Sequence, residues 1–88
     1  MKDMAGKVAI VTGGASGMGQ IIARRLVAQG ARVAIFDVND QGLQAMAAEA
    51  DTITALRCDI SSREEVEARV AEVAQDLGPI DLLVHCER

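Results

Sequence analysis

Tryptophan and tyrosine are absent from this 88-residue chain, and phenylalanine occurs once. The chain therefore has no aromatic platforms on which bases could stack, and its net charge of −4 leaves it no cationic surface for a phosphate backbone. Nucleic acid is excluded as an expected partner. Cysteine is scarce: Cys58 and Cys86, widely spaced, read as reduced thiols of a cytoplasmic protein rather than as a disulfide framework. Long hydrophobic runs are missing too. After a short N-terminus of mixed charge, the first apolar stretch spans only residues 8–11, far below a signal-peptide core or a membrane span. The length leaves no room for a second, substrate-binding domain. A chain of this size buries only about 60% of the surface its unfolded form exposes, so a ligand or partner would matter to its stability.

What is present is a regular alternation. Apolar runs recur at residues 8–11, 33–36, 53–56 and 80–84, most of them rich in β-branched side chains, as buried parallel strands require. Between them lie three helical patterns. The first covers residues 17–29, with Ile22, Ala23 and Leu26 on one face, and stops at Gly30. The second starts at Asn39 or Asp40 and turns Leu43, Met46, Ala47 and Ala50 inward, with Gly42 costing it about 1 kcal/mol relative to alanine. The third is capped by Ser61 or Ser62 with Glu64 and Glu65 as capping-box partners. Val66, Val70, Val73, Ala74 and Leu77 form its stripe, and Gly78-Pro79 ends it. Its charged outer side, with Arg63, Glu64, Glu65, Glu67 and Arg69, reads as a solvated face with weak ion pairs. Strand and helix in strict alternation, joined by right-handed crossovers, give an α/β fold with a parallel sheet between helices.

The chemistry concentrates in Thr12, Gly13, Gly14, Ala15, Ser16, Gly17, Met18 and Gly19, between the first strand and the first helix. Gly13 permits a tight turn, Gly17 removes a side chain where a pyrophosphate approaches, and Gly19 lets the helix pack close to the sheet. The amides and dipole at the helix N-terminus then face an anion. Asp37, at the end of the second strand, is placed to accept hydrogen bonds from ribose hydroxyls and to repel a 2′-phosphate. No arginine follows it, since Val38 and Asn39 come next, and Ser16 brings no positive charge into the loop. NAD is therefore expected in preference to NADP. Cys58, Asp59 and Ile60 end the third strand on the same sheet edge, where Asp59 can accept from an adenine amino group and Ile60 can pack on the ring. The glycine spacing argues against FAD or S-adenosylmethionine.

These residues resemble the N-terminal part of a short-chain dehydrogenase/reductase. The family's T-G-x-x-x-G-x-G loop matches Thr12 to Gly19 at every fixed position, and its NAD-selecting acid falls on Asp37. Its strand-three acid and aliphatic pair falls on Asp59-Ile60, and its D-L-L-V segment on Asp81 to Val84. The resemblance implies the N-terminal half of a three-layer, doubly wound Rossmann-type sheet, with about four strands in the order 3-2-1-4 and three helices. It also implies a nicotinamide cofactor and hydride transfer between an alcohol and a ketone. Residues 1–88 are expected to form one dinucleotide-binding domain that stops after the fourth strand.

The departures are specific. Where the family has N-N-A-G after D-L-L-V, this chain has His85, Cys86, Glu87 and Arg88, which suggests a truncated or shifted ending. The family's catalytic serine, tyrosine and lysine have no counterpart: tyrosine is absent, and both lysines, Lys2 and Lys7, precede the loop. No catalytic residue is therefore expected. His85, Cys86 and Glu87 alternate across an extended segment and do not converge on a metal. With the order 3-2-1-4, Cys58 and Cys86 stand about 14 Å apart, too far for a disulfide. The outer edge of strand four is expected to be exposed and to promote self-association, so a non-catalytic nucleotide-binding or interaction module is the alternative reading.

Overall fold

The computed structural model describes residues 4–86, so Lys2, Glu87 and Arg88 lie outside the described residues. The elements follow the order β1 (Val8–Thr12), α1 (Gly17–Ala28), β2 (Arg32–Asp37), α2 (Asp40–Ala47), β3 (Ile53–Arg57), α3 (Arg63–Leu77) and β4 (Leu82–His85). The four strands form one parallel sheet in the order β3-β2-β1-β4. This is the doubly wound, Rossmann-type arrangement expected from the sequence.

Strand side chains alternate between two packed faces. Ala9, Val11, Val33, Ile35 and Ile53 face α1 and α2, meeting Ala23, Leu26, Leu43 and Met46. Val8, Ile10, Ala34 and Phe36 face α3 and meet Val73. β1 and β2 are buried on both faces, which is why they read as unbroken apolar runs. β4 is different: Leu82 and Leu83 are 36% and 63% exposed.

The helix ends follow local chemistry. α1 closes through Gly30 at φ 96°, with the Gly30 amide donating to Val27 O (2.9 Å) and the Ala31 amide to Leu26 O (3.0 Å). This paired arrangement needs a left-handed residue. Asn39 caps α2 by accepting from the Gly42 amide.

Four details differ from the sequence expectations. Ser62 caps α3 through the Glu65 amide (3.3 Å), but the Glu65 carboxylate accepts from the Asp59 amide (3.2 Å), so the capping box is not reciprocal. Ala47 and Ala74 are exposed, because each stands one position round its helix from the buried Met46 or Val73 and so falls off the packed face. β4 starts at Leu82 rather than Ile80: the Asp81 carboxylate accepts from the Val8 amide (2.9 Å), while Ile80 packs beneath α3. Gly42 is no mere weak point in α2, since a Cβ there would sit 2.5 Å from Ala15 O.

Candidate functional site

β1 delivers the chain to the C-terminal edge of the sheet, where the glycine turn must reverse it into α1. Gly13 takes φ 70° and Gly17 φ 54°, both in the region that disfavours a side chain. Gly13 also lies tight under β4, because a Cβ on it would come 2.7 Å from Cys86 O. At Gly19 a Cβ would collide with the Gly13 carbonyl, so α1 can sit this close to the turn only without one. Gly17 faces open space. α1 begins behind it with Ser16 as N-cap residue, no side-chain cap bond and no acid in its first turn. The first-turn amides of such a helix carry partial positive charge and suit an anion.

Asp37 is 5% exposed, and its carboxylate organises the neighbouring backbone. Oδ2 accepts from the Ala15 amide (3.1 Å), and Oδ1 from the amides of Val38 (2.7 Å) and Asn39 (3.2 Å). The acid thus ties the glycine turn to the end of β2, a structural task beyond the ribose contact expected of it. Gln20 Nε2 fixes the same turn from the helix by donating to Ala15 O (2.7 Å).

A cleft of about 390 Å³ opens along this edge, lined by Gly13, Phe36, Asp37, Val38, Cys58, Asp59, Ile60, His85 and Cys86. It unites six of the residues singled out in the sequence: Gly13, Asp37, Val38, Cys58, Asp59 and Ile60. The others surround it without lining it. Thr12 and Gly19 are buried under the turn with Ala15, Ser16 is half-buried, and Gly17 and Met18 are exposed at the start of α1. Val38 and Ile60 are 42% and 44% exposed, two apolar side chains presented at the cleft rather than packed in the core.

Two groups in the cleft carry shifted acidities. Burial pushes the Cys58 thiol up, so it remains a neutral wall. The Asp59 carboxyl is held below its ordinary value, chiefly by the Ser61 hydroxyl, which donates to Oδ1 (2.7 Å), and then by the Ser61 amide (2.9 Å). Asp59 is exposed and ionised at the rim.

Sequence order concealed two contributions. His85 lines the cleft, its Nδ1 2.7 Å from Thr12 Oγ1, because β1 and β4 pair with Thr12 opposite His85. Arg57, absent from the sequence reading of the site, reaches Val38 O with Nη1 (2.9 Å). Its signal was positional, since β3 brings Arg57 into register with Asp37. Among the described residues no group of three or more His, Cys, Asp and Glu side chains could hold a metal ion, and no helix is long and apolar enough to cross a membrane.

A family model for short chain dehydrogenases matches residues 7–86. The chain is 42% identical over 80 residues to a 2-dehydro-3-deoxy-L-rhamnonate dehydrogenase (NAD(+)) from Sphingomonas, covering 91% of this chain and 32% of the relative. It is 44% identical over 82 residues to a 2,5-dichloro-2,5-cyclohexadiene-1,4-diol dehydrogenase from Sphingobium indicum, covering 92% and 33%. Among solved structures, a 3-ketoacyl-(acyl-carrier-protein) reductase from Brucella melitensis complexed with NADH superimposes with a TM-score of 0.88 at 36% identity, over 92% of this chain and 34% of that one. The chain thus spans about a third of the length of the relatives it matches.

Proposed function

The chain belongs to the short-chain dehydrogenase family, and on that premise we propose that residues 1–88 form a nicotinamide-dinucleotide-binding unit of an alcohol or ketone oxidoreductase. The observation that carries the reading is the open turn at Gly17: an uncapped helix start beside a cleft whose wall is Asp37. The residues present suit such a ligand. Thr12, Gly13, Ala15 and Gly19 shape the turn, Ser16, Gly17 and Met18 offer it a pyrophosphate-binding face, and Asp37 and Val38 stand at the ribose. Cys58, Asp59 and Ile60 frame the adenine.

When bound, the nicotinamide supplies a hydride acceptor or donor for alcohol and ketone interconversion. This chain's own residues bind and orient the adenosine half. A general acid must lie within about 3 Å of the reacting oxygen, and with no tyrosine anywhere in the sequence we expect no oxidoreductase turnover from this chain alone. The relatives act on a sugar acid, a chlorinated diol and a ketoacyl group, so they lend support to the cofactor half rather than to any one substrate. NAD is favoured over NADP because a 2′-phosphate would meet Asp37. The two cysteines, both free, suit a cytoplasmic setting.

The test is an amide-resolved NMR titration of the labelled chain with NAD and then NADP. Shifts at Gly13, Gly17, Gly19 and Asp37 that appear at lower NAD than NADP concentration support the proposal. A dispersed spectrum insensitive to both nucleotides overturns it. The exposure of Leu82 and Leu83 favours one second reading, an interaction module that pairs its β4 edge with another chain, and a stable dimer indifferent to nucleotide would select it.

A further inference from the structure

Read in order, the sequence offers no cation directly after Asp37, where Val38 and Asn39 come next. The sheet supplies one. Arg57 closes β3 opposite Asp37 on β2, and register partners on neighbouring strands direct their side chains to the same face. An acid and a guanidinium thus leave the sheet side by side, toward α2, at the ribose end of the cleft. Arg57 Nη1 donates to Val38 O (2.9 Å) and to Asp40 Oδ1 (3.1 Å), so it is seated on the short turn that follows Asp37. Its own carbonyl accepts from Arg69 Nε (3.0 Å), which steadies the strand end from α3.

We propose that Arg57 is a specificity-determining residue, a ligand for a phosphate monoester on the adenosine ribose, which the Asp40 carboxylate keeps engaged. The choice between the two dinucleotides is then set by Asp37, Asp40 and Arg57 together. The inference rests on the dinucleotide reading above. Its chemistry is that of an exchange of partners: a guanidinium presents a planar fork of donors that suits a phosphate as well as a carboxylate. The present pair is open to competition, with side chains 61% and 68% exposed, and an exposed pair of this kind is weak and screened by salt. Asp40 thus acts twice, adding a second negative charge near the ribose and occupying the Arg57 guanidinium bonded to that turn. Asp37 continues to repel, so the unsubstituted chain retains its preference for the unphosphorylated ribose.

The test compares affinity ratios, NADP to NAD and adenosine 2′,5′-bisphosphate to AMP, by amide-shift titration of the whole 88-residue chain. Asp40→Ser is expected to raise both ratios about tenfold, the scale of one charge-assisted hydrogen bond. Adding Arg57→Ala is expected to return them to the starting value or below. Asp51→Ser, removing an exposed acid between α2 and β3, controls for net charge and is expected to leave them unchanged. Each ratio comes from one folded sample, so general loss of stability cancels, and Asp40→Asn serves if the serine variant does not give a dispersed spectrum. Unchanged ratios on removal of the Asp40 carboxylate, or a gain that survives Arg57→Ala, would overturn the proposal. Failure of the unsubstituted chain to bind any of the four nucleotides would instead overturn the dinucleotide reading.

Discussion

Asp37 carries a structural task of its own, beside the ribose contact proposed for it. Its oxygens hold the amides of Ala15, Val38 and Asn39 in a nearly dry setting, and leaving buried donors without an acceptor costs about 1–3 kcal/mol. Asp37→Ala should therefore lower the unfolding free energy, measured by urea titration, by an amount on that scale, before any nucleotide is added. The two cysteines should separate chemically. Cys58 is 1% exposed with its thiol pushed up by burial, whereas Cys86 is half-buried at the cleft, so an alkylating reagent followed by mass spectrometry should mark Cys86 first. Asp59 gives a pH test. Its folded-state carboxyl is lowered by Ser61, so the associated stabilisation is present above the unfolded carboxyl value and fades as pH falls through the folded one. Ser61→Ala should move the Asp59 titration back up toward the ordinary carboxylate range, as read by carboxyl carbon NMR. At this scale the sequence was legible where chemistry is local. The glycine turn, Asp37 and the Asp59-Ile60 pair all stand on one sheet edge, whereas His85 and Arg57 came into view only once strand register placed them beside Thr12 and Asp37.

At the scale of elements, α2 shows how a local propensity can mislead. Helix statistics alone favour alanine over glycine at position 42 by about 1 kcal/mol. In the fold a Cβ there would lie 2.5 Å from Ala15 O and 2.9 Å from Ala15 Cβ, so the N-terminal turn of α2 abuts the glycine turn directly. Gly42→Ala should thus destabilise the chain, by about 1–3 kcal/mol as overpacked sites do, and should shift the Ala15 amide. An upward movement of the denaturation midpoint would refute this. The helices and strands themselves were legible because each carries its own period and punctuation. The width of their packed faces was not: Ala47 and Ala74 fit the apolar stripe by spacing, yet they lie outside the face that buries Met46 and Val73.

The whole molecule is two thin cores sharing one sheet, with β4 as the least covered strand. Leu83, 63% exposed on the α3 side, and the outer β4 edge form an apolar margin of the kind that templates pairing with another chain. Leu83→Lys should reduce any concentration-dependent rise in apparent mass measured by light scattering. Strand order was readable because alternating strands and helices with right-handed crossovers leave few topologies, and the family resemblance selected among them. The same order has a temporal consequence. β1 sits inside the sheet, yet one neighbour, β4, is the last strand in the sequence, and the Asp81 carboxylate reaches back to the Val8 amide across 73 positions. During synthesis the interior strand must wait, half-clad, until β4 has followed it out of the ribosome. Contacts this distant along the chain close slowly. The ceiling over Gly13 is Cys86, so the glycine turn acquires its full shape only after all four strands have emerged.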